Sequence, residues 1–506
     1  LLLPTALDFP IYSGRIGAAA GSLGAFELTV DGYAAMLPSS RQQPDFTMPR
    51  DGAKTTCSVI FDMSGNTALF PRPEGRDGYF RVDPGAPAAV ADAIFEASDY
   101  AGTFEKPIYV TYDADICAHE RSKKTGCTKC LDNCPASAIT PDGDGVAIDP
   151  GICGGCGNCA AHCPTGAVNF AFPKRSDTIS RIQTMARSYL AAGGDAPALL
   201  LHDEGHGTPL IGAMARFGKG LPARVIPMEM HATSGVGHDL MAHALACGFR
   251  QIVILADPQK TDELAALTEE VKLTEALLAG FGHQDSRVSV LIESDPDSVE
   301  NALYDLTESA EIARSAPSPL GGKREVARAA LGILAEAGTP PDQIIGLPES
   351  APYGAVVVDT DACTLCMACV SSCPADALRD NPDKPQLRFV EAACVQCGIC
   401  AETCPETAIS LKPQYNLQPG VMQPVTLNED EPALCTSCGK PFAAGGILRA
   451  VEKRLGGKHW MFETEDRVAL IHMCDSCRLE ALSKDGSDPF AIAHPRRTRT
   501  TEDYLE

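Results

Sequence analysis

Hydrophobic and polar positions come in blocks between residues 197 and 294. Four short apolar runs, "ALLLHDE", "ARVIPME", "QIVILAD" and "RVSVLIE", each end in acidic residues. Between them apolar positions recur at helical spacing over residues 208–217, 236–249 and 261–281. Apolar strands alternating with helices predict a parallel sheet covered on both faces, because a strand buried on both sides has no polar face to show. Residues 195–314 therefore read as a central α/β domain. "SAPSPLGGK" (315–323) interrupts the pattern as a linker, and "REVARAALGILAEAG" resumes it as an amphipathic helix within residues 315–350. Residues 1–106 give only weak extended segments and one helical stretch, 88–99, which predicts a small N-terminal domain of unknown role.

Cysteine adds a second pattern. Most of the 22 cysteines fall in C-x2-C runs, a spacing that turns two thiolates onto one metal ion or cluster. Three stretches repeat one motif: Cys153-x2-Cys156-x2-Cys159-x3-Cys163-Pro164, Cys363-x2-Cys366-x2-Cys369-x3-Cys373-Pro374 and Cys394-x2-Cys397-x2-Cys400-x3-Cys404-Pro405. They continue alike, as CPTGAV, CPADAL and CPETAI. A fourth stretch, "CAHERSKKTGCTKCLDNCP", ends in Cys127-x2-Cys130-x3-Cys134-Pro135 and continues as CPASAI. Lys124 stands where its siblings have their first cysteine. The preceding "PIYVTYDADIC" has the strand-then-cysteine form of "GVAIDPGIC" and "GAVVVDTDAC". That points to Cys117 as the first ligand and to residues 118–126 as an enlarged loop, whose extra length costs little closure entropy. His119 is a rival ligand, and a three-cysteine [3Fe–4S] site is a third reading. Arg121, Lys123 and Lys124 make this loop basic, which suits an acidic partner or a solvated surface.

The paired motifs closely resemble bacterial two-cluster ferredoxins, with 18 residues from Cys134 to Cys153 and 20 from Cys373 to Cys394. In that family three cysteines of one motif hold a [4Fe–4S] cluster and the fourth crosses to the other cluster. The resemblance implies dicluster ferredoxin modules over residues 107–175 and 351–415, with zinc as the alternative occupant. It assigns Cys363, Cys366, Cys369 and Cys404 to one cluster and Cys394, Cys397, Cys400 and Cys373 to the next. Cys153, Cys156, Cys159 and Cys134 hold a third. Cys127, Cys130 and Cys163 hold a fourth, closed by Cys117 or His119.

In the central domain, a flavodoxin-like sheet by its pattern, two strand-end loops carry glycines before a helix: "HDEGHGTP" and "HATSGVGHD". Such loops can cradle an anion or a flavin phosphate, although neither is a complete fingerprint. His202, His206, His231, His238 and His243 raise a metal reading, but glycines place the first pair in a loop, and His238 and His243 suit helix packing. The segment resembles the delta subunit of methyl-viologen-reducing hydrogenase. Of the cysteines that hold a [2Fe–2S] cluster in that family, only Cys247 remains, so the resemblance implies a docking module or a degenerate carrier without a cluster. Cys57 is read as a packed thiol.

Near the C-terminus Cys435-x2-Cys438 and Cys474-x2-Cys477, with 35 residues between the pairs, predict a four-cysteine zinc-ribbon-like segment over residues 430–482. Rubredoxin-type iron or a fifth cluster is the alternative. A helix near "GGILRAVEKRLG" would fill the gap, and residues 483–506 are a polar tail. The fold class expected is thus α+β and multidomain.

A net charge of −24 argues against nucleic acid and anionic lipid as partners. Thiol ligands imply a reducing compartment. "LLLPTAL" is short for a signal peptide and no apolar run reaches transmembrane length, so the expectation is a soluble, cytoplasmic chain. No nucleophile–base pair stands out. The expected role is electron transfer as a non-catalytic subunit, between redox partner proteins such as a dehydrogenase or a ferredoxin. The two-module plan resembles four-cluster proteins that accompany formate dehydrogenase. An oxidoreductase with its own flavin or thiol chemistry in the central domain is the alternative.

Overall fold

The computed structural model describes residues 9–40, 43–71 and 76–484, so the "LLLPTAL" start and residues 485–506 of the polar tail lie outside the described residues. The chain forms two compact units, Leu1–Glu120 with Cys127–Ser350 and Arg121–Gly126 with Ala351–Glu506.

The first unit begins with an antiparallel sheet of three strands, Tyr12–Ala20, Phe26–Ala35 and Ala53–Cys57. Phe26, Ile60, Phe70 and Tyr79 form its core, with Phe70 and Tyr79 edge to face at 5.1 Å. Cys57 packs half-buried against that core. Helix α1 (Pro87–Asp99) matches the predicted stretch and starts with proline, whose missing N–H costs nothing at a helix N-terminus.

The first cysteine-rich module follows. Its strand Val110–Tyr112 pairs with Val168–Phe170, and Ile139–Asp142 pairs with Gly145–Ile148, both antiparallel. Two short helices, α2 (Lys129–Asp132) and α3 (Asn158–His162), carry Cys130 and Cys159. Val110, Ile139, Val146, Ala160, Ala167 and Val168 make the apolar shell around the cysteines. Helix α4 (Arg175–Ala191), which sequence reading left unassigned, leads into the central domain.

Four parallel strands form the central sheet: β1 (Ala198–Asp203), β2 (Val225–Met230), β3 (Gln251–Ala256) and β4 (Val288–Ile292), in the order β2-β1-β3-β4. Every residue of β1 and β3 is buried, which is why both read as unbroken apolar runs. Helices α5 (Gly207–Phe217), α6 (His238–Ala246), α7 (Thr261–Gly280) and α8 (Pro296–Tyr304) follow the four strands in turn, the first three close to their predicted spans. The order reverses beside β1, so the crevice outside the ends of β1 and β3 is where such a sheet takes a ligand. Helix α9 (Lys323–Glu336) packs along α6. The linker expectation fails at its last residue: Lys323 opens this helix and is 5% exposed.

In the second unit the same module recurs. Gly354–Val358 pairs with Ile409–Asn416, and Gln386–Phe389 lies between Leu378–Arg379 and Val425–Glu429, all antiparallel. Helices α10 (Ala368–Ser372) and α11 (Ile399–Thr403) carry Cys369 and Cys400. A hairpin of Pro432–Leu434 and Pro441–Ala444, helix α12 (Gly445–Leu455) and a last helix, Asp475–Lys484, complete the unit.

Candidate iron-sulfur and metal centres

One hydrogen bond repeats four times and sets the register of the motifs. The residue four positions before the first cysteine donates its backbone N–H to the alanine four positions after a crossing cysteine. The pairs are Asp149 to Ala138 at 2.9 Å, Asp359 to Ala408 at 2.8 Å, Val390 to Ala377 at 2.8 Å and Asp113 to Ala167 at 2.9 Å. These bonds bring Cys153 to Cys134, Cys363 to Cys404, Cys394 to Cys373 and Cys117 to Cys163.

Left-handed backbone then shapes each loop. Three residues after the crossing cysteine, Ser137, Gly166, Asp376 and Thr407 all have φ between +49° and +79°. Within the three complete motifs the second and fourth residues after the first cysteine do the same: Gly155 and Gly157, Leu365 and Met367, Gln396 and Gly398. Non-glycine residues pay roughly 1–3 kcal/mol for such angles, and successive N–H groups held this way face one concavity. Glycine is required at 155 and 157 for a further reason. A Cβ at Gly155 would sit 2.6 Å from Tyr109 and 2.7 Å from His231, and one at Gly157 would sit 2.8 Å from the Gly235 Cα.

The concavities fit a cluster. Cys134, Cys153, Cys156 and Cys159 line one such concavity, and Cys373, Cys394, Cys397 and Cys400 line another. Backbone N–H groups point at sulfur: Ala138 at Cys134 (3.2 Å), Ala377 at Cys373 and Ala408 at Cys404 (3.3 Å each), and Val168 at Cys163 (3.4 Å). The Asn158 amide, next to Cys159, is fully buried with neither polar atom hydrogen-bonded among the described residues. No three motif sulfurs lie within 4.8 Å of one another among the described residues, a wider spread than one tetrahedral ion needs. Burial first, and then the neighbouring cysteines, push the free thiols up: Cys127 to about 11, Cys130 and Cys369 to about 12. These three thiols are neutral before loading, and loading must displace their protons.

The first motif keeps this plan around its insertion. Cys117 is buried, and its sulfur adds to the electrostatic load on Cys127 and Cys130. The Tyr112 hydroxyl bonds to it, and Tyr112 is pushed up to about 12 by burial and that contact. The insertion is pinched off at its neck. Cys127 N–H donates to Ala118 O at 2.9 Å, and His119 Nδ1 bonds to Cys127 O at 3.0 Å. Beyond the neck, Glu120–Arg121 pairs with Lys124–Thr125 around left-handed Ser122 and Lys123. His119, 3% exposed, thus holds the loop closed while Cys117 stands in register with Cys153, Cys363 and Cys394.

Residues 125–167 and 362–409 each match a model of the 4Fe-4S dicluster domain. The chain carries two 4Fe-4S dicluster domains. Cys117 lies outside the first match, as the insertion requires. No curated protein matches the chain significantly. No helix among the described residues is long and apolar enough to cross a membrane.

The C-terminal cysteines form a different kind of site. Sγ atoms of Cys435, Cys438, Cys474 and Cys477 all lie within 4.8 Å of one another, so this group can hold a metal ion. The Cys438 and Cys474 sulfurs are 3.7 Å apart. A tetrahedral ion with sulfur ligands at about 2.3 Å separates them by about 3.8 Å. N–H groups of Cys474, Cys438 and Ser437 aim at Cys435 Sγ and hold its thiol down to about 6. Cys435 and Cys438 turn a hairpin, whereas Cys474 and Cys477 open the helix Asp475–Lys484.

The central loops have other occupants than the anion expected. Asp203 Oδ1 accepts from His206 N–H (2.7 Å) and Gly207 N–H (3.1 Å), and its Oδ2 pairs with Lys260 at 2.9 Å. A carboxylate of the chain itself sits where an anion would, at the start of α5. "HATSGVGHD" is seated on the first module: Ser234 Oγ is 2.8 Å from Cys156 O, and His231 stacks on Tyr109 at 4.8 Å. His202 and His206 turn to different partners, the Asp203 and Glu293 carbonyls. Cys247, buried at the end of α6, is pushed up to about 12 by burial and behaves as a small apolar residue.

Behind α3 lies a buried charge network. Glu270 Oε2 bonds to His238 Nδ1 at 2.6 Å, Glu270 Oε1 lies 3.7 Å from His162, and Asp239 pairs with Arg175 at 2.5 Å. Burial pushes Glu270 up, but the His238 charge and hydrogen bond, with His162 and Lys323, outweigh it and hold the acid down to about 2. His243 is pushed down to about 4 by burial and then by Arg175. Both groups take up protons more readily when unfolded, so both stabilise the fold at neutral pH and lose that contribution in acid. The loss runs from pH 6.5 to about 4 for His243 and from 4.5 to about 2 for Glu270. Glu270→Gln should cost roughly 3–5 kcal/mol at pH 7 by stranding His238, and should flatten the lower window. Circular-dichroism melts against pH test this; equal acid sensitivity in both proteins would refute it.

Proposed function

We propose that the chain relays single electrons through four [4Fe–4S] clusters between a dehydrogenase and a second redox partner. The observation that carries the reading is the fourfold bond from the pre-cysteine residue to the alanine beyond the crossing cysteine, because each of the four brings a first cysteine toward a crossing cysteine, as a crossed ligand set would need. The ligands are Cys117, Cys127, Cys130 and Cys163; Cys153, Cys156, Cys159 and Cys134; Cys363, Cys366, Cys369 and Cys404; and Cys394, Cys397, Cys400 and Cys373. When bound, such clusters store and release one electron each. The protein's part is to hold the two clusters of each module close together, exclude water with the apolar shells, and tune them through N–H groups aimed at sulfur.

A net charge of −24, to which thiolate-bound clusters add, suits a partner with a basic docking face. Formate dehydrogenase as that partner rests on the likeness of the two-module plan. The likeness to a hydrogenase delta subunit gives the central domain a docking role, for which its loop on the Cys156 carbonyl speaks. A reducing, cytoplasmic setting follows from the thiol ligands. Cys435, Cys438, Cys474 and Cys477 are assigned zinc on the sulfur spacing. The flavin reading is weaker, because a phosphate would have to displace Asp203 from the start of α5.

Anaerobic metal analysis tests the reading. About sixteen irons, sixteen sulfides and one zinc per chain are expected, with reversible low-potential EPR signals and no turnover without a partner. Dithionite-resistant clusters, or about twelve irons, would defeat the four-cluster relay.

A further inference from the structure

Lys323 is the least expected charge in the first unit. It is 5% exposed and opens α9, where a cation opposes the helix dipole. Its ammonium is directed away from its own helix onto the end of α3. Nζ donates to Ala160 O at 2.7 Å, to Cys163 O at 3.2 Å and to Ala161 O. Three acceptors match the three protons of an ammonium. The residue is fixed from both sides. Arg175 Nη2 donates to Lys323 O at 3.2 Å, and a Cβ on Gly166, in the loop after Cys163, would meet Lys323 Cβ at 2.9 Å. Among the described residues no carboxylate forms a direct salt bridge with it: Asp239 pairs with Arg175 and Glu270 with His238, and the Lys323 charge reaches both acids only through space.

The second module supplies a built-in comparison. Its α11 corresponds to α3, and the residues matching Ala160 and Ala161 are Ala401 and Glu402. An exposed acid stands there, and among the described residues no lysine hydrogen-bonds to the end of that helix. Two copies of one motif thus differ by a buried cation at the crossing cysteine.

We infer that Lys323 is a positioning and tuning residue that raises the reduction potential of the cluster closed by Cys163 above that of its counterpart closed by Cys404. Adding one electron adds one negative charge, and a fixed cation in a poorly screened interior favours the reduced form. The electron comes from a one-electron donor, dithionite in the titration. This inference rests on the four-cluster reading.

The test is an EPR-monitored redox titration of the full chain. Lys323→Met keeps the stem and removes the charge. It should move about a quarter of the reducible spins to lower potential, by on the order of tenfold in the reduction equilibrium, about 59 mV for one electron. Lys323→Arg should restore the wild-type midpoint. If Lys323→Met fails to load, Lys323→Gln, which keeps an N–H donor, carries the same expectation. Sixteen irons with all midpoints unmoved in both neutral variants would overturn the inference and leave the relay standing. Failure of the wild-type protein to bind or reduce four clusters would instead defeat the relay.

Discussion

Cys117→Ala is expected to take iron from about sixteen toward about twelve per chain and to abolish one reducible [4Fe–4S] signal, whereas His119→Ala should retain both. The expectation follows from where the backbone puts each residue. Asp113, four residues before Cys117, makes the bond to Ala167 that Asp149, Asp359 and Val390 make in the other three sites. Cys117 therefore stands at the first ligand position although nine residues follow it where its siblings have two. The His119 Nδ1 is taken by the Cys127 carbonyl at 3.0 Å. Losing that ring should loosen the neck and speed cluster loss in air without changing the ligand count. Iron analysis and EPR on both variants decide the matter. Sixteen irons in Cys117→Ala with twelve in His119→Ala would make the histidine the ligand.

The cluster motifs were legible because their chemistry is local: thiolate spacing, proline after the fourth cysteine, and a repeat seen four times in one chain. The central sheet was legible for a similar reason, since β1 and β3 are buried throughout and carry no polar face to confuse the pattern. Contacts between distant segments were not. Nothing in "HATSGVGHD" announces that Ser234 will meet the Cys156 carbonyl, because glycines before a helix fit a phosphate and a close-packed loop equally well. Asp203 illustrates the same limit: an acid after a strand reads as solvated until its N–H partners on the next helix are known. Lys323 could have been noticed. A lysine at the first position of an amphipathic helix is locally unfavourable, and such a misfit marks a residue whose partner lies elsewhere.

With zinc as proposed for the four C-terminal cysteines, Cys474→Ser is expected to lose the ion and to unfold residues 432–484 while the iron count stays near sixteen. Apart from Ala444 and Ile447, which pack on the module core, and the pairs of Arg449 with Asp430 and Arg454 with Glu406, this segment has little else to hold it. Cys435, Ala444, Leu448, Leu470 and Ile471 are its buried apolar residues, too few for an independent core. Its order depends on cross-links between the knuckles: Cys474 N–H to Cys435 Sγ at 3.2 Å and Thr436 N–H to His472 O at 3.0 Å. Structural zinc supplies roughly 10–16 kcal/mol of apparent binding energy in small domains, and that energy becomes folding energy when no site exists in the unfolded chain. Trp460, the one tryptophan of the chain, lies between the knuckles and reports on this segment. Its emission should shift to the red in the variant, and trypsin should cut at Lys453, Arg454 and Lys458 first. A variant that keeps one zinc, or loses it with unchanged emission and protease resistance, would mean that the hairpin and α12 hold the segment without the ion.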